Sequence, residues 1–216
     1  MGWIGSLYRS SVGKKSIMAA SGLLLSLFLL THLLGNSISF LGREAYNTYA
    51  EKLHSLGALV YLFEAVLLVL FLIHILTGII LYLENLQARP SRYSVNTSEG
   101  GRSWGSRTMP YTGIIIFAFI IVHLFNFHFT DRSVPIADLV RELLSRPGLA
   151  MFYIFSLLAV ALHVSHGAWS LFQSIGINHE KYNQLLLKGA LVFSILIGGI
   201  FILIPVLALM SRTFLL

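Results

Sequence analysis

The chain has 216 residues, 56% of them hydrophobic and only 11% charged, with a formal charge of +6 and a mean hydropathy of +0.79. A soluble domain carries about 25% charged residues, so this composition cannot cover a water-facing surface, and the class is an all-α integral membrane protein. Its apolar segments are continuous rather than alternating, which excludes a spanning barrel, and the absence of cysteine excludes disulfides, thiolate metal sites, thiolate-bound iron–sulfur clusters and a covalently attached c-type haem.

The N-terminal segment carries Arg9, Lys14 and Lys15 and then enters the apolar run Ile17–Leu41. That run is too long for the h-region of about 7–15 residues in a cleavable signal peptide. Four further runs follow: Ala58–Leu83, Tyr111–Thr130, Leu149–Gln173 and Gly189–Met210. Each is long enough to cross about 30 Å of hydrocarbon at 1.5 Å per residue. The expected architecture is one domain, residues 1–216, with five spans. Pro110 and Pro147 precede the third and fourth spans, where a helix start tolerates proline. Pro205 falls inside the fifth, where a kink is expected.

Loop charges set the expected orientation. With the N-terminus cytoplasmic, nine of the 15 Lys and Arg residues fall on the inside and six on the outside, which favours N-terminus in and C-terminus out. Spread over loops in this way, the basic charge reads as attraction to anionic lipid rather than to nucleic acid. Two outer connections, Gly42–Gly57 and Val134–Arg146, read as short surface helices. In the second, Ile136, Leu139, Val140, Leu143 and Leu144 share one face, which fits a helix lying in the outer headgroup layer. The inner loop Glu84–Pro110 is polar and basic, a natural docking surface for a soluble partner.

Each of the first four spans carries a histidine deep in hydrocarbon, where an imidazole is costly unless paired, coordinated or facing a cavity. On alternating spans, His32 and His123 lie about 22 and 18 Å along outward-running helices, whereas His74 and His163 lie about 21–24 Å along inward-running ones. The four therefore sort into two layers, each with two histidines from two helices. This suits two bis-histidine haems stacked in a four-helix bundle, since axial nitrogens must arrive from opposite sides of a planar macrocycle. Transition-metal transport and core histidines bonded to backbone carbonyls are the competing readings.

The remaining polar residues in the spans fall into smaller groups. His166 is three residues from His163 on nearly the same helix face, so it is either the ligand itself or a contact for a haem propionate or quinone. His128, about 140° round the helix from His123, reads as an interfacial residue, and His54 and His179 as solvated loop residues. Glu64 is the sole acidic residue within the core of a span. It reads either as a protonated acid bonded to a neighbouring helix or as a proton donor and acceptor beside a quinone, a role suited to a buried carboxyl.

With these residues in place, the chain resembles the dihaem cytochrome b anchor subunit of succinate:quinone oxidoreductases and quinol:fumarate reductases. The likeness covers nearly the whole chain: five spans, a histidine on each of the first four and none on the fifth. Its most specific stretches are Met18-Ala19-Ala20-Ser21-Gly22 running to Thr31-His32-Leu33-Leu34-Gly35-Asn36, and Leu162-His163-Val164-Ser165-His166-Gly167-Ala168-Trp169-Ser170. The resemblance implies His32 and His123 on a distal haem b and His74 and His163 on a proximal one, choosing His163 over His166 as ligand. It implies electron transfer between membrane quinone (menaquinone or another) and an iron–sulfur subunit, which is joined to a flavoprotein on the cytoplasmic face of a bacterial inner membrane. The chain would then be the quinone-reactive part of an enzyme complex, with no dicarboxylate chemistry of its own. A cytochrome b subunit of a hydrogenase or formate dehydrogenase is the alternative within electron transfer, and a histidine-lined metal-ion transporter the alternative outside it. One position departs from the family: where some dihaem members carry a glutamate implicated in transmembrane proton movement, this chain has Ala161.

Overall fold

Hydrophobic length determines where this chain forms its long helices, and polar ends decide how far each one continues. The structure, a computed structural model, describes residue 8 and residues 10–88, 104–130, 133–177 and 179–211. Within them lie seven α-helices and no strand: α1 (Ser11–Ser37), α2 (Arg43–His54), α3 (Ala58–Gln87), α4 (Trp104–Phe127), α5 (Ile136–Leu144), α6 (Pro147–Ser174) and α7 (Glu180–Met210). A 3₁₀ turn, Ile38–Leu41, extends α1. Five of these (α1 with its turn, α3, α4, α6 and α7) are long and apolar enough to cross a membrane.

Four of the five outrun the apolar windows at the end nearest the chain's N-terminus. Helix α1 starts at Ser11 rather than Ile17, α3 ends at Gln87 rather than Leu83, α4 starts at Trp104 and α7 at Glu180. The physical reason is that an apolar window marks only the hydrocarbon, whereas a helix carries on into water once capped. Ser10 caps α1 by accepting from the Gly13 amide at 2.9 Å, and the His179 ring caps α7 by accepting from the Lys181 amide at 3.2 Å, each satisfying an orphan donor. His179 is exposed as expected, but its position is a helix cap, and His54 ends α2 rather than lying in a loop. Pro110 lies inside α4 instead of at its start. Thr112, two residues on, bonds back to the Thr108 and Met109 carbonyls. Helix α7 runs unbroken through Pro205, which is fully buried. Of the expected docking loop, residues 89–103 lie outside the described residues.

Helix α6 packs most extensively on α7, then on α4 and α1, while α1 packs on α3 and α7. Gly198 of α7 meets Ala161 of α6 so closely that a Cβ added there would stand 2.6 Å from the Ala161 Cβ. The two small residues thus let these backbones approach.

The C-terminal face is closed by α2 and α5. A glycine is required before α2, since Gly42 has φ +102°, a conformation that side chains disfavour. Ala137, Val140 and Leu144 of α5 are buried in the core, with Tyr46 of α2, Leu33, Tyr153, Ile197 and Phe201. The apolar stripe of α5 therefore faces protein rather than the headgroup layer, as its contacts with α2, α6 and α7 require. Arg43 donates to both carboxylate oxygens of Asp138, at 3.0 and 2.7 Å, and the Asn47 side chain accepts from the Ala137 amide at 3.0 Å. At the opposite face the buried Lys14 pairs with Glu84.

Candidate functional site: two imidazole pairs across the bundle

The four span histidines meet in two pairs. His32 of α1 and His123 of α4 have ring centroids 5.9 Å apart, nearly perpendicular at 87°. His74 of α3 and His163 of α6 have centroids 6.3 Å apart at 64°. Each pair joins helices that are not the main backbone neighbours: α1 packs on α3 and α6, and α4 on α6, whereas the imidazoles link α1 to α4 and α3 to α6. The pairs thus lie on the diagonals of the four-helix group, one nearer the C-terminal face and one nearer the N-terminal face.

The inner pair, His74 and His163, is oriented by hydroxyls from the remaining two helices. The Ser21 hydroxyl of α1 lies 3.1 Å from His74 Nδ1, and the Thr112 hydroxyl of α4 lies 3.0 Å from His163 Nδ1. A hydroxyl has one proton to donate. Ser21 directs its own to the Met18 carbonyl at 3.1 Å, and Thr112 directs its own to the Thr108 and Met109 carbonyls at 3.1 Å. Each hydroxyl therefore accepts from its imidazole. Both rings are assigned as the Nδ1–H tautomer, which leaves the Nε2 lone pair for another partner.

The outer pair is held by rings. His32 stacks on Phe28 at 5.4 Å and contacts Phe201 at 5.7 Å; His123 contacts Phe119, Phe127 and Tyr153 at 5.7, 5.3 and 6.2 Å. The Asn36 side-chain amide nitrogen donates to the His32 backbone carbonyl at 2.9 Å and lies 3.3 Å from the His32 Nε2, while Tyr46 of α2 donates to the Asn36 side-chain Oδ1 at 2.8 Å. Burial, together with the neighbouring Tyr49, pushes the Tyr46 phenol well above its ordinary pKa, so it remains a donor. His123 Nδ1 is buried and has no hydrogen-bond partner among the described residues, a cost of about 1–3 kcal/mol if left so.

These donor sets fit a haem. Among the described residues no cluster of three or more His, Cys, Asp or Glu can hold a metal ion, but a porphyrin needs only two axial ligands from the protein. Imidazole nitrogens bind transition metals at about 2.0–2.1 Å, so two rings on one metal have centres roughly 6 Å apart, close to both separations observed. His32, His123, His74 and His163 are the residues that can hold such groups. His166 is not in the inner pair: it packs against α4, where a Cβ on Gly105 would stand 2.7 Å from its own Cβ.

Glu64 does not sit deep in the bundle. Its carboxylate is half-exposed and lies 3.5 Å from Nδ1 of His128, just past the end of α4. Sequence reasoning treated these residues separately, since 64 positions divide them and no periodicity links them. It also passed over Ser21, Thr112 and Asn36. A signal for the first two exists in their equal spacing from the next histidine on the same helix.

No protein-family model matches the chain, and no solved structure does. Among curated proteins, the succinate dehydrogenase cytochrome b558 subunit of Bacillus subtilis (strain 168) is 28% identical over 161 residues, covering 73% of this chain and 76% of that protein. The chain is similar to a succinate dehydrogenase cytochrome b subunit. That likeness and the five apolar helices support a multi-pass membrane anchor of the same kind.

Proposed function

We propose that this chain is the membrane-anchor cytochrome b subunit of a succinate dehydrogenase or fumarate reductase complex, carrying electrons between a membrane quinone and an iron–sulfur subunit. The observation that carries the reading is the meeting of four imidazoles in two diagonal pairs, each at the separation of two ligands on one metal. The likeness to the B. subtilis subunit supports the choice of complex. His32 and His123 hold an outer haem b, and His74 and His163 an inner one. When bound, haem b supplies a one-electron couple tuned by its ligands, burial and hydrogen bonds. The chain itself keeps the rings in one tautomer, excludes water with α2 and α5, and sets two sites at different depths. A flavoprotein and the iron–sulfur protein dock at the N-terminal face, on the cytoplasmic side of a bacterial inner membrane, and the C-terminus lies outside. Glu64, paired with His128 toward the outer end, exchanges protons with quinone.

A reduced-minus-oxidised visible spectrum with haem quantitation tests the reading. Two b haems per chain are expected, His163→Ala should remove one of them, and His166→Ala should leave both. A colourless polypeptide, or loss of a haem from His166→Ala and not from His163→Ala, overturns the assignment. Copurification with a flavoprotein and an iron–sulfur protein distinguishes this complex from other membrane dehydrogenases.

A further inference from the structure

Helices α1 and α4 carry the same pattern: a hydroxyl residue, a glycine, nine residues and a histidine, as Ser21-Gly22 to His32 and Thr112-Gly113 to His123. Eleven residues make just over three full helical turns and about 16.5 Å of rise, so hydroxyl and histidine share one stripe at two depths. Each helix therefore gives its histidine to the outer pair and its hydroxyl to the inner pair. The hydroxyls reach His74 and His163 at 3.1 and 3.0 Å. The glycine beside each hydroxyl leaves space for the ring: a Cβ on Gly22 would lie 3.3 Å from His74 Cε1, and one on Gly113 3.9 Å from His163 Cε1. The first is tight and the second ordinary contact, so Gly22 is the more demanding position.

We propose that Ser21 and Thr112 are a matched pair of positioning residues that accept the Nδ1 protons of His74 and His163 and thereby set the ring orientation and electron donation of the inner haem site. The inference rests on the haem reading above and extends it to residues that touch neither iron nor quinone. An acceptor on Nδ1–H raises the basicity of the opposite nitrogen, and outer partners of this kind are worth 10–100-fold in metal affinity or activity. A more basic ligand favours the ferric state, so its loss favours the ferrous state. The inner site has two such acceptors. The outer site differs, since His123 Nδ1 lacks a partner among the described residues.

The test is a potentiometric titration of the α-band, with low-temperature electron paramagnetic resonance of the ferric haems, on the purified full chain in complex with its partners. His163→Ala identifies the inner haem in both measurements. Ser21→Ala and Thr112→Ala should each shift the inner ferrous-to-ferric ratio by about tenfold toward ferrous, which is a rise of about 59 mV for one electron. They should also move the inner low-spin signal, with the outer haem unchanged, and Ser21→Thr and Thr112→Ser should restore parent values. Loss of the inner haem alone, reversed by the conservative exchange, supports the same assignment through affinity. An inner haem unmoved in potential and signal in both alanine variants overturns the proposal, as does an equal shift of both haems. If the parent protein itself lacks haem, the reading of the pairs as haem ligands fails, and this inference falls with it. Two parent haems with silent alanine variants leave that reading intact and remove only the inference.

Discussion

The contact between Gly198 and Ala161 gives the sharpest test of how the bundle is packed. In Gly198→Ala the new Cβ would stand 2.6 Å from the Ala161 Cβ and 3.8 Å from the Leu157 carbonyl oxygen. Two carbons rest at about 3.5–4.0 Å, so α6 and α7 must part by about 1 Å. Neither atom is the free end of a flexible side chain, so the backbones themselves must move. Overpacking of this kind costs about 1–3 kcal/mol, and the better helix propensity of alanine returns about 0.5–1 kcal/mol. At the middle of both ranges a net loss of about 1.2 kcal/mol remains, or a fall of about 2–5 °C in thermal midpoint at 2–4 °C per kcal/mol for a chain of this size. The exchange Ala161→Gly with Gly198→Ala moves the methyl to the other helix and should recover most of that loss. Differential scanning of the purified protein in detergent, for both single variants and the double variant, measures the coupling. If Gly198→Ala melts with the parent, or if the double variant is no better than the sum of the singles, then the close approach is not what sets the α6–α7 separation.

Two other outcomes follow from the ends of the bundle. The hydrogen bonds from Arg43 hold the Asp138 carboxyl below its ordinary pKa. Their contribution to stability is therefore fully present above the unfolded value of about 3.9 and fades as pH falls through the lowered folded value. Melting curves from pH 7 to pH 3 should show Asp138→Asn less stable than the parent at neutral pH, with the gap closing only below about pH 4; a constant gap would contradict the linkage. Glu64→Gln should slow quinol turnover while both haems and their spectra are retained, and unchanged turnover would return Glu64 and its contact with His128 to a structural role.

The five spans were legible because a helix in hydrocarbon must be apolar along its whole length. The pairing of His32 with His123 and of His74 with His163 was legible because alternating topology converts residue number into depth. What stayed hidden was decided by contacts between distant segments. Nothing local in Val134–Arg146 distinguishes an apolar stripe facing lipid from one facing α2, α6 and α7; the Arg43–Asp138 pair across 95 positions does. The meeting of Glu64 with His128 depends likewise on where α3 and α4 end relative to one another. The helix starts at Ser11, Trp104 and Glu180 lie beyond the apolar runs because hydropathy falls where water begins, whereas backbone hydrogen bonding does not.

The two imidazole pairs are secured by different physical means. Around His32 and His123, five aromatic rings and the cap formed by α2 and α5 supply packing that depends on shape and is lost in proportion to the volume removed. Around His74 and His163, α3 buries fully only Thr77 among its described residues, and the Ser21 and Thr112 hydroxyls fix the rings through directed hydrogen bonds. Truncating Phe119 or Phe201 therefore loosens the outer site by opening space, with consequences spread over neighbouring residues. Removing a hydroxyl from Ser21 or Thr112 opens almost no space, yet it releases the orientation and tautomer of a ring 3 Å away. Truncation thus has different signatures in the two layers: lost packing and stability at the C-terminal face, and loss of imidazole orientation with little change in volume at the N-terminal face.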